Sequence, residues 1–277
     1  MTTLLIYQNA VTLDRERHRH LKLKGHDTAR FAAAVHAVPL VAVEFAEVAR
    51  EYPIVFARGA TVDDKPGELL CYALTGLNEG ENLYLDAAGQ WMAQYVPAFI
   101  RRYPFVFAQT GVDQLSVCID ESYPGFDDSA GEPLFDEAGE PAAVLKNALE
   151  LLTDYQRQVQ LTGAFLKKLD AADLLMQSEL RADFADGRNA LVQGLLVVDE
   201  TKLKQLSAAT LQEWLASGEL GLLYAHLLSL GNVKQLVQRM APLGASGSTV
   251  TVTATDAATT PSTAAQVQDK KRKAAKP

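Results

Sequence analysis

"IRRYPFVFA", residues 100–108, restates a phrase already written as "REYPIVFA" at residues 50–57. Aligned from Arg101 and Arg50, six of the eight positions agree: the arginine, the Tyr-Pro pair and the closing Val-Phe-Ala. A residue that precedes proline avoids α geometry, so a helix arriving at Tyr52 or Tyr103 must end there. "PIVFA" and "PFVFA" are apolar throughout, the pattern of a strand covered on both faces. Upstream, Pro39 opens "PLVAVEFAEVAREY", with Val41, Phe45 and Val48 at helical spacing, and Pro97 opens "PAFIRRY". Each copy thus predicts a short helix begun by one proline, stopped by a second, and followed by a central strand. Internal duplication and independent punctuation both fit a match of eight residues.

Outward from these corners, further strands are predicted at Leu69–Leu74, Asn82–Asp86 and Leu115–Asp120. "DAAG" at 86–89 and "DEAG" at 136–139 read as tight turns with glycine supplying positive φ. "ADGR" at 185–188 is a hairpin signal between "SELRADF" and "ALVQGLLVV". From Pro141 a long helix is predicted. Leu145, Ala148, Leu152, Tyr155, Val159, Thr162, Leu166 and Leu169 form an apolar stripe stepping by three and four. Such a stripe packs across a sheet or against a second copy of itself. Helices near 200–206, 208–217, 219–229 and 232–241 follow, with Gly218 and Gly231 as breaks. The fold class is α+β, a mixed sheet core with short proline-started helices, one long amphipathic helix and a helical C-terminal region. A single domain is expected over 1–243, strand-rich in 1–140 and helix-rich in 141–243.

From Gly244 the chain turns to Ser, Thr, Ala and Lys without an aromatic residue, which reads as a disordered tail over 244–277. That segment holds five basic and two acidic residues. Taken from totals of 26 and 34, this leaves 21 basic and 32 acidic residues in 1–243, a net −11. A general nucleic-acid binder would need basic surface to neutralise phosphates, so that class is excluded. The first ten residues lack a basic n-region and long apolar run, and no stretch reaches the 18 or so apolar residues of a membrane span. A soluble cytoplasmic protein is expected. Two cysteines, Cys71 and Cys118, each lie in an apolar strand-like run. They read as buried thiols, with one buried disulfide as the alternative.

Three clusters are candidates for chemistry. His18 and His20, in "RERHRHLKLKGH", would share a face on a strand and could hold a metal, although the spacing is not diagnostic and surface histidines are the simpler reading. Between Tyr103 and Leu145 there is no Lys, Arg or His but nine acids: Asp113, Asp120, Glu121, Asp127, Asp128, Glu132, Asp136, Glu137 and Glu140. This stretch is either a solvated loop or a surface for Ca²⁺ or a basic partner, and it does not match the calcium-loop pattern. Arg101 and Arg102, bracketed by Tyr95, Phe99 and Tyr103, offer planar forks for carboxylate or phosphate. Structurally, one would cap a helix and the other would pair with Glu44 or with an acid of 113–140. No nucleophile elbow, phosphate loop, dinucleotide glycine pattern or Cys-pair metal site is present.

Together, "VPLVAVEFAEVAREYPIVFA", "ENLYLDAAGQWMAQYVPAFIRRYPFVFA", "LFDEAGEP" and "GELGLLYAHLLSLGNVKQL" resemble the SapC family of bacterial proteins, over residues 18 to 240. A peptide-transporter permease carries the same label, but it spans the membrane. The resemblance is to the family linked to surface-layer arrays, with members often encoded beside iron- and 2-oxoglutarate-dependent oxygenases, flavin halogenases and outer-membrane receptors. It implies no cofactor and no catalytic residue. A family-like H-x-x-L fits both His18 with Leu21 and His20 with Leu23. The resemblance implies a non-catalytic accessory or surface-layer-associated protein that binds a protein partner or itself, in the cytoplasm or at the cell surface after leaderless export. The alternative is an enzyme or substrate-presenting subunit. The accessory reading would use the 95–104 segment and the acidic stretch to hold a partner, and the enzyme reading, working with such an oxygenase or halogenase, a pocket where the Tyr-Pro corners meet; the candidate ligand-binding residues are Glu44, Tyr52, Tyr95, Arg101, Arg102, Tyr103 and Asp120. There an arginine would hold an anion, with Glu44 or Asp120 as acid or base.

Overall fold

A computed structural model describes residues 4–25, 28–61, 66–111, 114–184, 186–240 and 249–254. Its strands are β1 (Ala10–Thr12), β2 (Lys22–Leu23), β3 (Ala37–Pro39), β4 (Ile54–Arg58), β5 (Leu69–Leu74), β6 (Phe105–Gly111), β7 (Gln114–Asp120), β8 (Phe126–Asp127), β9 (Glu132–Pro133), β10 (Leu175–Asp183), β11 (Asn189–Val198) and β12 (Thr249–Ala254). The helices are α1 (Phe45–Val48), α2 (Ala98–Arg101), α3 (Ala143–Ala171), α4 (Glu200–Lys204), α5 (Ala208–Ser217), α6 (Glu219–Ser229) and α7 (Val233–Met240). They make an α+β fold of three sheets, ordered β12-β10-β11-β4-β5-β3, β1-β7-β6 and β8-β2-β9.

Both Tyr-Pro corners do what the sequence requires. Ile54, Val55, Phe56, Phe105 and Val106 are buried, while Ala57, Phe107 and Ala108 lie at the half-buried strand ends. The corners feed different sheets. β4 is central, between β5 and β11, but β6 is the edge of its three-stranded sheet rather than a central strand. The Tyr103–Pro104 peptide bond is cis. The repetition also extends beyond the quoted phrase. In each copy a short helix, a Tyr-Pro corner, a strand and an antiparallel partner are followed by an Asp-x-x-Gly turn. In the first turn Asp86 N–H bonds Gln90 O and Gly89 N–H bonds Asp86 O, and in the second Asp136 N–H bonds Glu140 O and Gly139 N–H bonds Asp136 O. Gly89 and Gly139 both take positive φ, 84° and 79°.

The 29 residues of α3, about 43 Å of helix at 1.5 Å per residue, join the two halves. Leu145 and Leu152 pack into the smaller core over β6 and β7. Tyr155, Phe165, Leu166 and Leu169 pack into the larger core of the six-stranded sheet. The apolar stripe is used inside the chain, except at Val159, which is 40% exposed.

Three further expectations need correction. Pro39 ends edge strand β3 instead of starting a helix, and a 3-10 turn at Ala42–Glu44 leads into α1. An edge position suits a residue with no N–H to donate. Asn82–Asp86 is not a strand, because Asn82 Oδ1 accepts the Tyr84 N–H at 3.0 Å and its Nδ2 donates to Ala32 O, a local bond that competes with a ladder. Finally, Thr249–Ala254 is not tail but a strand on the outer edge of β10. Its Thr-Val alternation satisfies that edge through backbone bonds, for which a composition-based reading of core-forming capacity gives no credit. Residues 244–248 and 255–277 of the expected tail lie outside the described residues. Cys71 and Cys118 are free, buried and in different sheets. Burial pushes the Cys71 thiol up to about 12.

A fully buried histidine completes the large sheet. β4 and β11 pair at only one register position, Leu196 with Phe56. Where they splay, α6 substitutes side chains for the missing ladder. Ser229 Oγ accepts Ile54 N–H at 2.9 Å, His226 Nδ1 reaches Ile54 O at 2.9 Å, and Val198 N–H donates to His226 Nε2 at 3.1 Å. Asn232, two turns along, donates to Ala49 O and Tyr52 O and so holds the end of α1 and the first corner. His226 must be neutral to accept and donate at once, and burial depresses its pKa from 6.5 to about 4. The unfolded chain therefore binds the proton first, and this stabilisation is complete above pH 6.5 and declines as pH falls toward 4. His226→Phe orphans two buried backbone groups and is expected to lower stability by about 2–5 kcal/mol. It should also remove part of the pH slope. Urea midpoints of both proteins at pH 7 and pH 5 provide the check, and equal pH slopes would refute this role.

Candidate functional site

The seven residues singled out in the sequence do gather, around the short helix α2. Glu44 is buried at 3% exposure at the start of α1. Its Oε2 accepts Val41 N–H at 3.1 Å, and its Oε1 accepts Ala98 N–H at 2.7 Å and the Tyr95 hydroxyl at 2.8 Å. One carboxylate therefore holds the first turns of two helical segments, where unpaired N–H groups and the positive end of the helix favour an anion. Tyr95 is set in place by Glu51, whose carboxylate accepts its N–H at 2.9 Å. Burial, then the neighbouring Glu44 carboxylate, push the Tyr95 phenol up to about 12. Arg101 is exposed. It donates from Nε to Val96 O at 2.9 Å and lies over the Tyr95 ring at 5.7 Å. Tyr52 is fully buried, donates to Tyr95 O at 2.5 Å and accepts Trp91 Nε1–H at 2.7 Å. Burial drives its phenol far above the ordinary range.

On the other side of α2 lie Arg102, Tyr103 and Asp120. Arg102 is buried at 6% exposure, with its guanidinium 4.3 Å from the Phe99 ring centre and 4.9 Å from that of Tyr155. It also hydrogen-bonds the Tyr7 side chain. The aromatic faces of Phe99 and Tyr155 supply negative potential to the guanidinium. Asp120 has no exposure and accepts five hydrogen bonds, from Gln8 N–H, Asn9 N–H, the Tyr103 hydroxyl, and the N–H and hydroxyl of Ser122. Burial works to raise its pKa, but the donors from Ser122, Gln8 and Asn9 outweigh it, and the carboxyl sits below its usual 3.8. The Tyr103 ring stacks on Phe31 at 3.9 Å.

These groups face one another. The oxygens of Glu44 and Asp120 all accept from donors of the fold. The other two clusters are likewise internal. His18 is buried, accepting Asp14 N–H on Nδ1 at 2.9 Å and meeting Glu121 with Nε2 at 3.0 Å, whereas His20 is exposed. The two do not act together, and no group of three potential metal ligands occurs among the described residues. The acidic stretch finds its basic partner in the N-terminal segment: Arg15 with Glu140, Arg17 and His18 with Glu121, and Lys24 with Asp127. β2, flanked by β8 and β9, brings the two together. Asp113 lies outside the described residues.

The open feature was not anticipated. A cavity of about 840 Å³ runs between α3 and β5, with Leu40, Cys71, Tyr155 and Leu166 inside and Arg58, paired to Asp170, at one end. Gly163 borders it, and a Cβ there would meet nothing within 4 Å. A glycine inside a helix costs about 1 kcal/mol relative to alanine, and the open space here would accept a side chain. Its signal in the sequence was a single glycine interrupting the stripe. The exposed apolar side chains Leu215, Tyr224 and Leu228 form a separate face on α5 and α6.

Fold and site define an α+β protein with a closed polar brace and an adjacent open groove. The chain belongs to the SapC family, whose model matches residues 13–236. No curated protein and no solved structure matches it. No helix among the described residues is long and apolar enough to cross a membrane.

If the α2 cluster is a brace, substitutions will separate by burial. Glu44→Ala and Asp120→Ala each strand several buried donors and are expected to lower unfolding free energy by roughly 3 kcal/mol. Arg102→Ala should cost at least about 2 kcal/mol through lost packing, and exposed Arg101→Ala within about 0.5 kcal/mol. Because folding favours the charged form of Asp120, its contribution is present at neutral pH and is lost as pH falls below the usual 3.8. Urea denaturation at pH 7 and pH 3 measures both effects.

Proposed function

We propose that this SapC-family chain is a non-catalytic accessory protein that works by binding, with the groove between α3 and β5 as its working surface and the α2 cluster as its internal brace. The observation carrying this reading is that donors of the fold engage both oxygens of each carboxylate in the cluster. Three donors meet Glu44 and five meet Asp120. A general acid or base needs an oxygen within reach of a ligand's proton, and here both carboxylates are buried with each oxygen already accepting from the fold. The groove has the size and largely apolar lining of ligand sites, which run from about 300 to 1,000 Å³. The surface-array association of the family agrees with an accessory role at a cell envelope assembly.

Full-length variants in the producing cell test the assignment against the phenotype of a deletion. Val159→Arg places a charge in the groove from a 40% exposed position and is expected to reproduce the deletion phenotype at an unchanged protein level. Arg101→Ala should retain wild-type behaviour. A folded, abundant Arg101→Ala protein with the null phenotype would transfer the function to α2.

A further inference from the structure

We infer that the groove receives an extended polypeptide segment, which adds as a strand to the outer edge of β5 beside α3; this rests on the groove being the working surface. The inference comes from the backbone. Gly59 N–H bonds Glu68 O, and Leu74 N–H bonds Pro53 O. These bonds fix the alternation of the antiparallel β4–β5 ladder, so that Glu68, Leu70, Tyr72 and Leu74 turn their polar groups toward β4. Leu69, Cys71 and Ala73 turn theirs to the outer side. There β3 covers Ala73, and Leu40 N–H bonds Cys71 O at 3.0 Å.

One more step along β3 would set Ala42 opposite Leu69. The chain instead turns into the 3-10 turn at Ala42–Glu44, and Ala42 N–H goes to Thr162 Oγ1 of α3 at 2.8 Å. Leu69, only 8% exposed, is left with its backbone N–H and C=O facing the cavity. The opposite edge of β4 shows what this fold does when a strand runs out. There Ser229 and His226 take up both backbone groups of Ile54. Nothing takes up those of Leu69 among the described residues.

Backbone groups of a residue only 8% exposed, without a partner among the described residues, call for a backbone, and a strand is the arrangement that supplies donor and acceptor at matching spacing. A strand laid there would have α3 along its other side. Its alternate side chains would point at the apolar floor of Leu40, Tyr155 and Leu166, and the space above Gly163 would admit one of them. The occupant is thus an extended peptide with an apolar anchor residue. An isolated aliphatic chain would fill the volume but leave Leu69 unsatisfied.

The test uses the full chain with a pool of capped hexapeptides randomised at alternate positions, and a second pool in which alternate backbone amides are N-methylated. Hydrogen exchange reports the Leu69 amide. The unmodified pool is expected to slow that exchange at least tenfold, the N-methylated pool to leave it unchanged, and Gly163→Leu, which fills the cavity in a still-folded helix, to abolish the protection. If neither pool slows Leu69 exchange but palmitate binds wild type and not Gly163→Leu, the peptide assignment is wrong and the groove stands as a binding surface. If neither peptide nor palmitate binds, both readings fall.

Discussion

One carboxylate joins the two repeated halves of this chain. Glu44 belongs to the helix of the first Tyr-Pro unit, and through Ala98 N–H and the Tyr95 hydroxyl it holds the helix of the second. A buried charge is tolerated in an apolar core only when its lone pairs are filled, and here the fold fills them with groups that two helix starts leave unpaired. Both short helices, and the strands that leave them, take their relative position from this point. α3 then covers both halves, with its first turns over the small sheet and its last over the large one. α2 is therefore crowded with polar and aromatic side chains for a reason of assembly, which is why it resembled a site in the sequence.

A second constraint is the settlement of backbone groups where strands end. The large sheet has ragged edges because β3, β4 and β5 differ in length and β11 meets β4 at one position. At Ile54 the remedy is a face of α6, with His226 and Ser229 one turn apart and Asn232 following. These are the polar residues of the phrase "HLLSLGN". At Ala42 the remedy is Thr162. At Leu69 none is provided among the described residues, and Leu69 lines the cavity beside α3.

Charge follows the same logic at longer range. A segment dense in Arg, Lys and His and a stretch dense in Asp and Glu lie about a hundred residues apart in sequence. β2 between β8 and β9 sets them side by side. Each surface ion pair adds little on its own. Their joint effect is to fix the N-terminal segment over the loop, with Asp120 gripping Gln8 and Asn9 at its start. Neither segment then needs a metal or an outside partner to account for its composition.

The class α+β, the strand after each Tyr-Pro corner, the long helix and its buried stripe, the β10–β11 hairpin and the four closing helices were all legible in the sequence. Each rests on local sterics or on a periodicity written within a few turns. The gathering of Glu44, Tyr95, Arg101, Arg102, Tyr103 and Asp120 about one helix was legible as well, though not the direction in which their polar atoms point. Long-range pairing decided the rest. It made β6 an edge and β4 central, placed Thr249–Ala254 in a sheet, turned His226 into a backbone partner and ended β3 short of Leu69. A hydrogen bond between residues far apart leaves no periodic mark, because either partner alone is compatible with many environments. The chain by itself set which segments coil and which extend; only their packing decided which polar groups are spent on the fold and which remain for something else.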